Sequence, residues 1–219
     1  MSVIGASGSG KSTLFKLVAG LLEPAQGDIR MHGKPAPKRL GRAAYMPQKD
    51  LLLPWRTVLD NCLLPLEIDK SGRAYPREQI RKLLIQFGLE GCEAAYPDEL
   101  SGGMRQRAAF LRTLAGGQEL LLLDEPFGAL DAMTKREMQR WLLSLWSDLG
   151  KTVLFITHDL EEALLLSDRI YLLSREEAFG VNEITVPLPR PRHYEMNYEP
   201  AFVSLRQDLE RRLHAETTL

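Results

Sequence analysis

Gly5-Ala6-Ser7-Gly8-Ser9-Gly10-Lys11-Ser12-Thr13 follows the apolar pair Val3-Ile4 and runs into a helical pattern from Leu14. The stretch fits G-x-x-x-x-G-K-[ST], a phosphate-binding loop set between a strand and a helix. Its residue types follow from the task. Gly8 and Gly10 reach backbone angles that a Cβ resists, so successive N–H groups can turn inward around a phosphate. The helix that follows presents its positive N-terminal end to the same point. Lys11 has the reach for β- and γ-phosphates, and the hydroxyl of Ser12 is the natural Mg2+ ligand. Strand, loop and helix in this order specify a nucleotide site, for ATP or GTP, and leave its use open.

Outward from the loop, Leu14, Leu17, Val18, Leu21 and Leu22 keep helical spacing until Glu23-Pro24. Residues 27–31 read as a short strand, His32-Gly33-Lys34 as a hairpin turn, and 43–46 as a strand closed by Pro47. From Gln48 to Gly103 the pattern changes to helices, at 58–66 and 77–87, separated by the polar Lys70-Ser71-Gly72-Arg73 linker. A helix over 105–114 and an uninterrupted apolar strand over 119–123 come next, and such a strand suits a sheet covered on both faces. Helices at 134–146 and 160–166 then alternate with strands at 152–156 and 169–174. A last strand at 182–186, a Pro/Arg connector and a charged helix at 199–214 complete the chain. The alternation predicts an α/β fold with a mostly parallel sheet, in which 1–47 and 104–219 form a nucleotide-binding core and 48–103 an inserted helical subdomain. Arg190, Arg192, Arg206, Arg211 and Arg212 are expected on a solvated face.

The chain has 219 residues, with 28 Lys plus Arg against 29 Asp plus Glu, so no global charge points to nucleic acid or a membrane surface. Its two cysteines, Cys62 and Cys92, form no C-x-x-C and no disulfide framework, which suits a reducing compartment and argues against a zinc site. No apolar run approaches the length of about 18 residues that a membrane-spanning helix requires. Met1 stands directly before the strand of the loop, with no signal-peptide pattern.

Three further features sit at strand ends, where open α/β sheets place their sites. Leu120 to Leu123 lead into Asp124-Glu125-Pro126. A carboxylate ending a buried strand beside the phosphate loop can hold Mg2+, a role for Asp124. Glu125, facing the other way, can polarise the attacking water. His158 ends another buried strand between a hydroxyl and a carboxylate. Finally, Leu100-Ser101-Gly102-Gly103-Met104-Arg105-Gln106-Arg107 places Ser101, Gly102 and Gly103 immediately before a helix, a second anion-binding N-terminus.

This last run resembles the signature motif of ABC ATPases. Gln48 matches the family's Q-loop, Gly128-Ala129-Leu130-Asp131 its D-loop and His158 its switch histidine, all in the family's order. The resemblance covers essentially the whole chain. It implies ATP and Mg2+ as cofactors, with Lys11, Gln48, Glu125 and His158 in turnover and Ser12, Gln48 and Asp124 on the metal. It implies a homodimer, head to tail, in which Ser101, Gly103 and Asp131 of one subunit complete the other's site. Gln48 would couple nucleotide state to permease subunits docked on the helical subdomain. Tyr45-Met46-Pro47-Gln48, Leu53-Pro54-Trp55-Arg56-Thr57-Val58, Tyr96-Pro97-Asp98-Glu99-Leu100 and Pro126-Phe127-Gly128 look like importers of the nitrate, sulfonate and taurine type, a group that includes thiamine-precursor systems. The implied place is peripheral, on the cytoplasmic face of the inner membrane, served indirectly by a solute-binding protein.

Members of this family carry antiparallel strands and an adenine-stacking aromatic ahead of the phosphate loop. Here that N-terminal subdomain is expected to be largely missing, with ATP binding several-fold weaker for want of stacking and residues 27–31 left as an open edge. Two alternatives remain at this point. A soluble ABC ATPase acting on nucleic acid or the ribosome would insert coiled coils or join two such domains, and neither pattern is visible. An inactive fragment or regulatory nucleotide-binding module is opposed by the occupancy of every catalytic position.

Overall fold

The computed structural model describes residues 1–6, 8–69, 72–128, 130–146, 150–173 and 181–215. In chain order these form β1 (Ser2–Gly5), α1 (Lys11–Ala19), β2 (Arg30–Met31), β3 (Lys34–Pro35), β4 (Ala43–Met46), α2 (Val58–Ile68), α3 (Arg77–Gln86) and α4 (Gly102–Ala115). There follow β5 (Leu120–Asp124), α5 (Ala132–Trp146), β6 (Thr152–Ile156), α6 (Leu160–Leu166), β7 (Arg169–Leu173), β8 (Val181–Thr185) and α7 (Pro200–Ala215). Six strands make one sheet in the order β4-β5-β6-β1-β7-β8. The first five are parallel, and β8 closes the edge antiparallel to β7. The expected α/β architecture with a mostly parallel sheet is what the chain adopts.

The run of leucines in β5 explains why the sheet is covered twice. Successive strand residues face opposite sides. Leu121 and Leu123 enter a large core with residues of α4, α5 and α6, whereas Leu122 joins Val3, Phe15, Ala19 and Ile156 in a smaller core under α1. All three leucines are buried, and each contributes roughly 1.5–3 kcal/mol by leaving water.

The large core continues without a break into the helices of the 48–103 segment, through Val58, Cys62, Ile80, Leu84 and Phe87. An aromatic cluster joins that segment to the sheet-covering helices. Phe87 meets Trp141 edge-on with centroids 4.5 Å apart, and both touch Phe110 at 5.8 Å. The Trp141 indole N–H donates to the Gln86 carbonyl at 3.1 Å. Asn61, fully buried on α2, ties down the loop before it by accepting from Leu53 N and donating to the carbonyls of Leu53, Arg56 and Thr57. Of the two thiols, Cys62 is sealed in the core and burial pushes it up to about 12, while Cys92 is half-buried.

Several expectations change. The helix placed at 105–114 begins at Gly102, because the Ser101 hydroxyl accepts the Met104 amide at 3.3 Å and so caps it upstream of both glycines. The strand placed at 27–31 is confined to Arg30–Met31 and turns through His32 and Gly33, both at positive φ, onto β3 as a separate two-stranded hairpin. Its edge is therefore paired on one side. Arg192 does not lie on a solvated face. It is buried, and its guanidinium takes up the carbonyls of Leu164 and Ser167 at the end of α6 and that of Leu188, satisfying acceptors the helix leaves unpaired. Lys70, Ser71 and the reach of β7 to Ser174 lie outside the described residues.

Candidate nucleotide-binding site

The phosphate loop takes its shape from Gly8 (φ +76°) and Gly10 (φ +90°), the latter capping α1 in a left-handed conformation. Lys11 folds over the loop. Its Nζ donates to the carbonyls of Gly5 and Ala6, both at 2.8 Å, and lies 3.4 Å from Ser9 Oγ. Burial lowers the lysine's pKa, against the pull of the Glu125 and Asp124 carboxylates. Ser7, the remaining loop residue expected here, lies outside the described residues.

Asp124 is held at the end of β5, 4 % exposed. Its Oδ1 accepts from Ser12 Oγ and its Oδ2 from Tyr45 Oη, each at 3.2 Å. Burial raises the carboxyl's pKa in spite of both hydrogen bonds, and the same enclosure pushes Tyr45 up to about 12. β5 is not hydrogen-bonded to β1, since β6 lies between them. The carboxylate meets Ser12 nonetheless, because Ser12 is on α1, which covers this part of the sheet. Tyr45 was not anticipated as part of the site; a tyrosine on a four-residue strand carries no local signal for a carboxylate 79 residues away.

Glu125 is placed by strain. Strand alternation alone was expected to turn it from Asp124, but β5 ends at Asp124 and Glu125 takes φ +47°, a left-handed backbone that few side-chain-bearing residues adopt. Its amide still donates to the Ile156 carbonyl, and its own carbonyl accepts from Gly128 N. The side chain receives Gln48 Nε2 at 2.9 Å, and His158 Nδ1 lies 3.7 Å from Oε2.

One cavity of about 530 Å3 gathers these groups: Gly5, Gly8, Gly10, Lys11, Ser12, Thr13, Gln48, Glu125 and His158. Ser101, Gly102, Gly103 and Asp131 are not among its walls. Ser101 is exposed at the start of α4. Gly102 borders a second cleft, of about 670 Å3, with Arg105, Gly128, Leu130 and again Gln48. Asp131 caps α5 by accepting the amides of Met133 and Thr134, each at 3.1 Å, and the Thr134 hydrogen bonds lower its pKa. Ala129, in the same loop, lies outside the described residues.

The oxygen donors of Ser12 and Asp124 fit a hard cation such as Mg2+. Among the described residues no group of three or more His, Cys, Asp or Glu is arranged to hold a metal, so such an ion would take its other ligands from phosphate and water. The Gln48 amide is engaged with Glu125 instead of the Ser12–Asp124 pair.

Residues 1–128 match the family model described as ABC transporter. The chain is 46 % identical over 211 residues to the formylaminopyrimidine import ATP-binding protein ThiZ of Halalkalibacterium halodurans, covering 95 % of this chain and 82 % of the relative. It is 42 % identical over 212 residues to the bicarbonate transport ATP-binding protein CmpD of Synechococcus elongatus, covering 93 % and 75 %. The fold is similar to the dimeric structure of a post-hydrolysis state of the ATP-binding cassette MJ0796 bound to ADP and Pi, with TM-score 0.71, 30 % identity and coverage of 86 % and 85 %. The match of the family model over more than half of the chain, together with these relatives, shows that the chain belongs to the ABC transporter family as one of its ATP-binding ATPase domains.

Proposed function

We propose that this chain hydrolyses ATP to energise a membrane importer for a small anionic or organic solute of the nitrate, sulfonate, taurine or thiamine-precursor kind. It would act as a head-to-tail homodimer, peripheral to permease subunits at the cytoplasmic face of the membrane. The observation that carries this reading is the meeting of Lys11, Gln48, Glu125 and His158 in one cavity while Ser101 and Gly103 stand outside it. That division is what a site shared between two copies requires.

In this reading Lys11 and the loop amides bind the β- and γ-phosphates. Ser12 and Asp124 would hold Mg2+, which neutralises charge on those phosphates when bound. Glu125, steadied by the Gln48 amide, accepts the proton of the attacking water, and His158 contacts the γ-phosphate. The Ser101 hydroxyl accepts from Met104 N and keeps its own proton to donate, so it can serve the partner's nucleotide without losing its cap. Gln48 borders both the cavity and the cleft beside Gly102, which suits a coupling role between nucleotide and the 48–103 segment. On that segment Leu51, Trp55 and Ile68 are 57 %, 71 % and 70 % exposed, apolar side chains that a docked permease could cover. Names of the relatives, bicarbonate and formylaminopyrimidine import among them, support the solute class.

Glu125→Gln tests the reading. Turnover of the purified chain should fall by at least about 100-fold, the usual scale for a lost general base, and a dimer should accumulate in size-exclusion chromatography with Mg-ATP. Turnover within about threefold of wild type would remove Glu125 from that role.

A further inference from the structure

Next to His158 in the chain lies a polar cluster that the proposed hydrolysis does not use. Lys135, in the first turn of α5, places Nζ 2.6 Å from Asp159 Oδ2 and 2.7 Å from Glu162 Oε1. Glu162 is buried, takes the Thr157 hydroxyl on its other oxygen, and receives Gln139 Nε2 at 3.2 Å. The Asp159 amide donates to Thr157 Oγ1 at 3.0 Å, and Asp159 Oδ1 caps α6 through the amides of Glu161 and Glu162. Both sequence neighbours of His158 are thereby fixed, while its own side chain is 65 % exposed.

The other end of Lys135 leads elsewhere. Its backbone amide donates to the Asp131 carbonyl at 2.9 Å. The preceding residue, Thr134, presses on the start of α4 so closely that a Cβ on Gly103 would lie 2.5 Å from Thr134 Cγ2. One helical turn therefore touches the glycine of the signature run, the aspartate of the D-loop and the strand end that carries His158.

We infer that Lys135 is a positioning residue for His158, tying loop 157–159 to the first turn of α5 so that displacement at Gly103 or Asp131 reaches the imidazole. This rests on the proposed contact of His158 with the γ-phosphate. A purely structural ion pair would need only the buried Glu162. The second arm of Lys135 takes the one oxygen of Asp159 that α6 leaves free, beside the histidine.

The test is steady-state hydrolysis by the full chain. Lys135→Met should lower kcat about tenfold with KM for ATP held within about twofold, and Lys135→Arg should restore kcat to within about threefold of wild type. Added to His158→Ala, Lys135→Met should cost less than about twofold more, because it acts through the missing ring. If Lys135→Met does not stay folded at the assay temperature, Lys135→Gln, too short and uncharged to bridge Asp159 and Glu162 together, is held to the same thresholds. Wild-type kcat in the folded variant, or a full extra loss on top of His158→Ala, overturns the inference alone. Wild-type turnover in His158→Ala overturns the underlying reading and this inference with it.

Discussion

Asp124 and Glu125 are adjacent carboxylates held by opposite means. Asp124 is enclosed, and burial raises its pKa; Glu125 stands at the cavity edge on a left-handed backbone, a conformation that costs on the order of 1–3 kcal/mol and survives only where its surroundings fix it. The enclosure has a consequence for stability. Because folding raises the Asp124 pKa, its favourable contribution is complete below the ordinary carboxylate value of 3.8 and is lost as pH rises through the folded value. Asp124→Asn, which cannot ionise, should therefore melt higher than wild type in EDTA where the carboxylate is charged. That gap should open with rising pH in differential scanning fluorimetry, and the variant should lose the stabilisation that Mg-ATP gives the wild type. Asp124 was legible because it ends a run of leucines. The direction of Glu125 was not, since alternation stops where the strand does, and nothing in a sequence announces a positive φ at glutamate.

At the level of elements, α4 and α5 meet closely where Gly103 faces Thr134. Gly103→Ala should destabilise the chain by about 1–3 kcal/mol in thermal or urea unfolding, through the clash with Thr134 Cγ2. Thr134→Ser deletes that methyl and keeps the hydroxyl bonded to Asp131, so the pair of changes should regain stability. Turnover should stay low in the double variant if a partner's phosphate needs bare backbone at Gly103. Recovery of both would assign the glycine to packing alone. Helix existence was readable from apolar spacing throughout, but the start of α4 was not. Two glycines argue against a helix by propensity, and the Ser101 cap, together with the packing of Ala108, Leu111 and Leu114 behind them, overrides that preference.

The sheet order is a property of the whole molecule. Right-handed crossovers limit the choices without selecting one, so the placing of β6 between β5 and β1 had to be seen. The continuous core had also to be seen, because the change of pattern at Gln48 marks where helices begin and says nothing about whether their side chains share an interior. Leu121 sits in that shared interior. Leu121→Ala should cost about 2–5 kcal/mol in urea unfolding, with far-ultraviolet circular dichroism and the fluorescence of the Trp141 cluster lost in one transition. Separate transitions would mean that the helical segment unfolds independently. Among the described residues no helix is long and apolar enough to cross a membrane.

The unequal burial of the two thiols gives this chain a built-in attachment point. Cys62, sealed and with its thiolate disfavoured until about pH 12, should resist maleimides, whereas the half-buried Cys92, between α3 and α4, should be the thiol that reacts. A maleimide label should therefore go to Cys92 without first removing any cysteine, with one label per chain by mass spectrometry as the check.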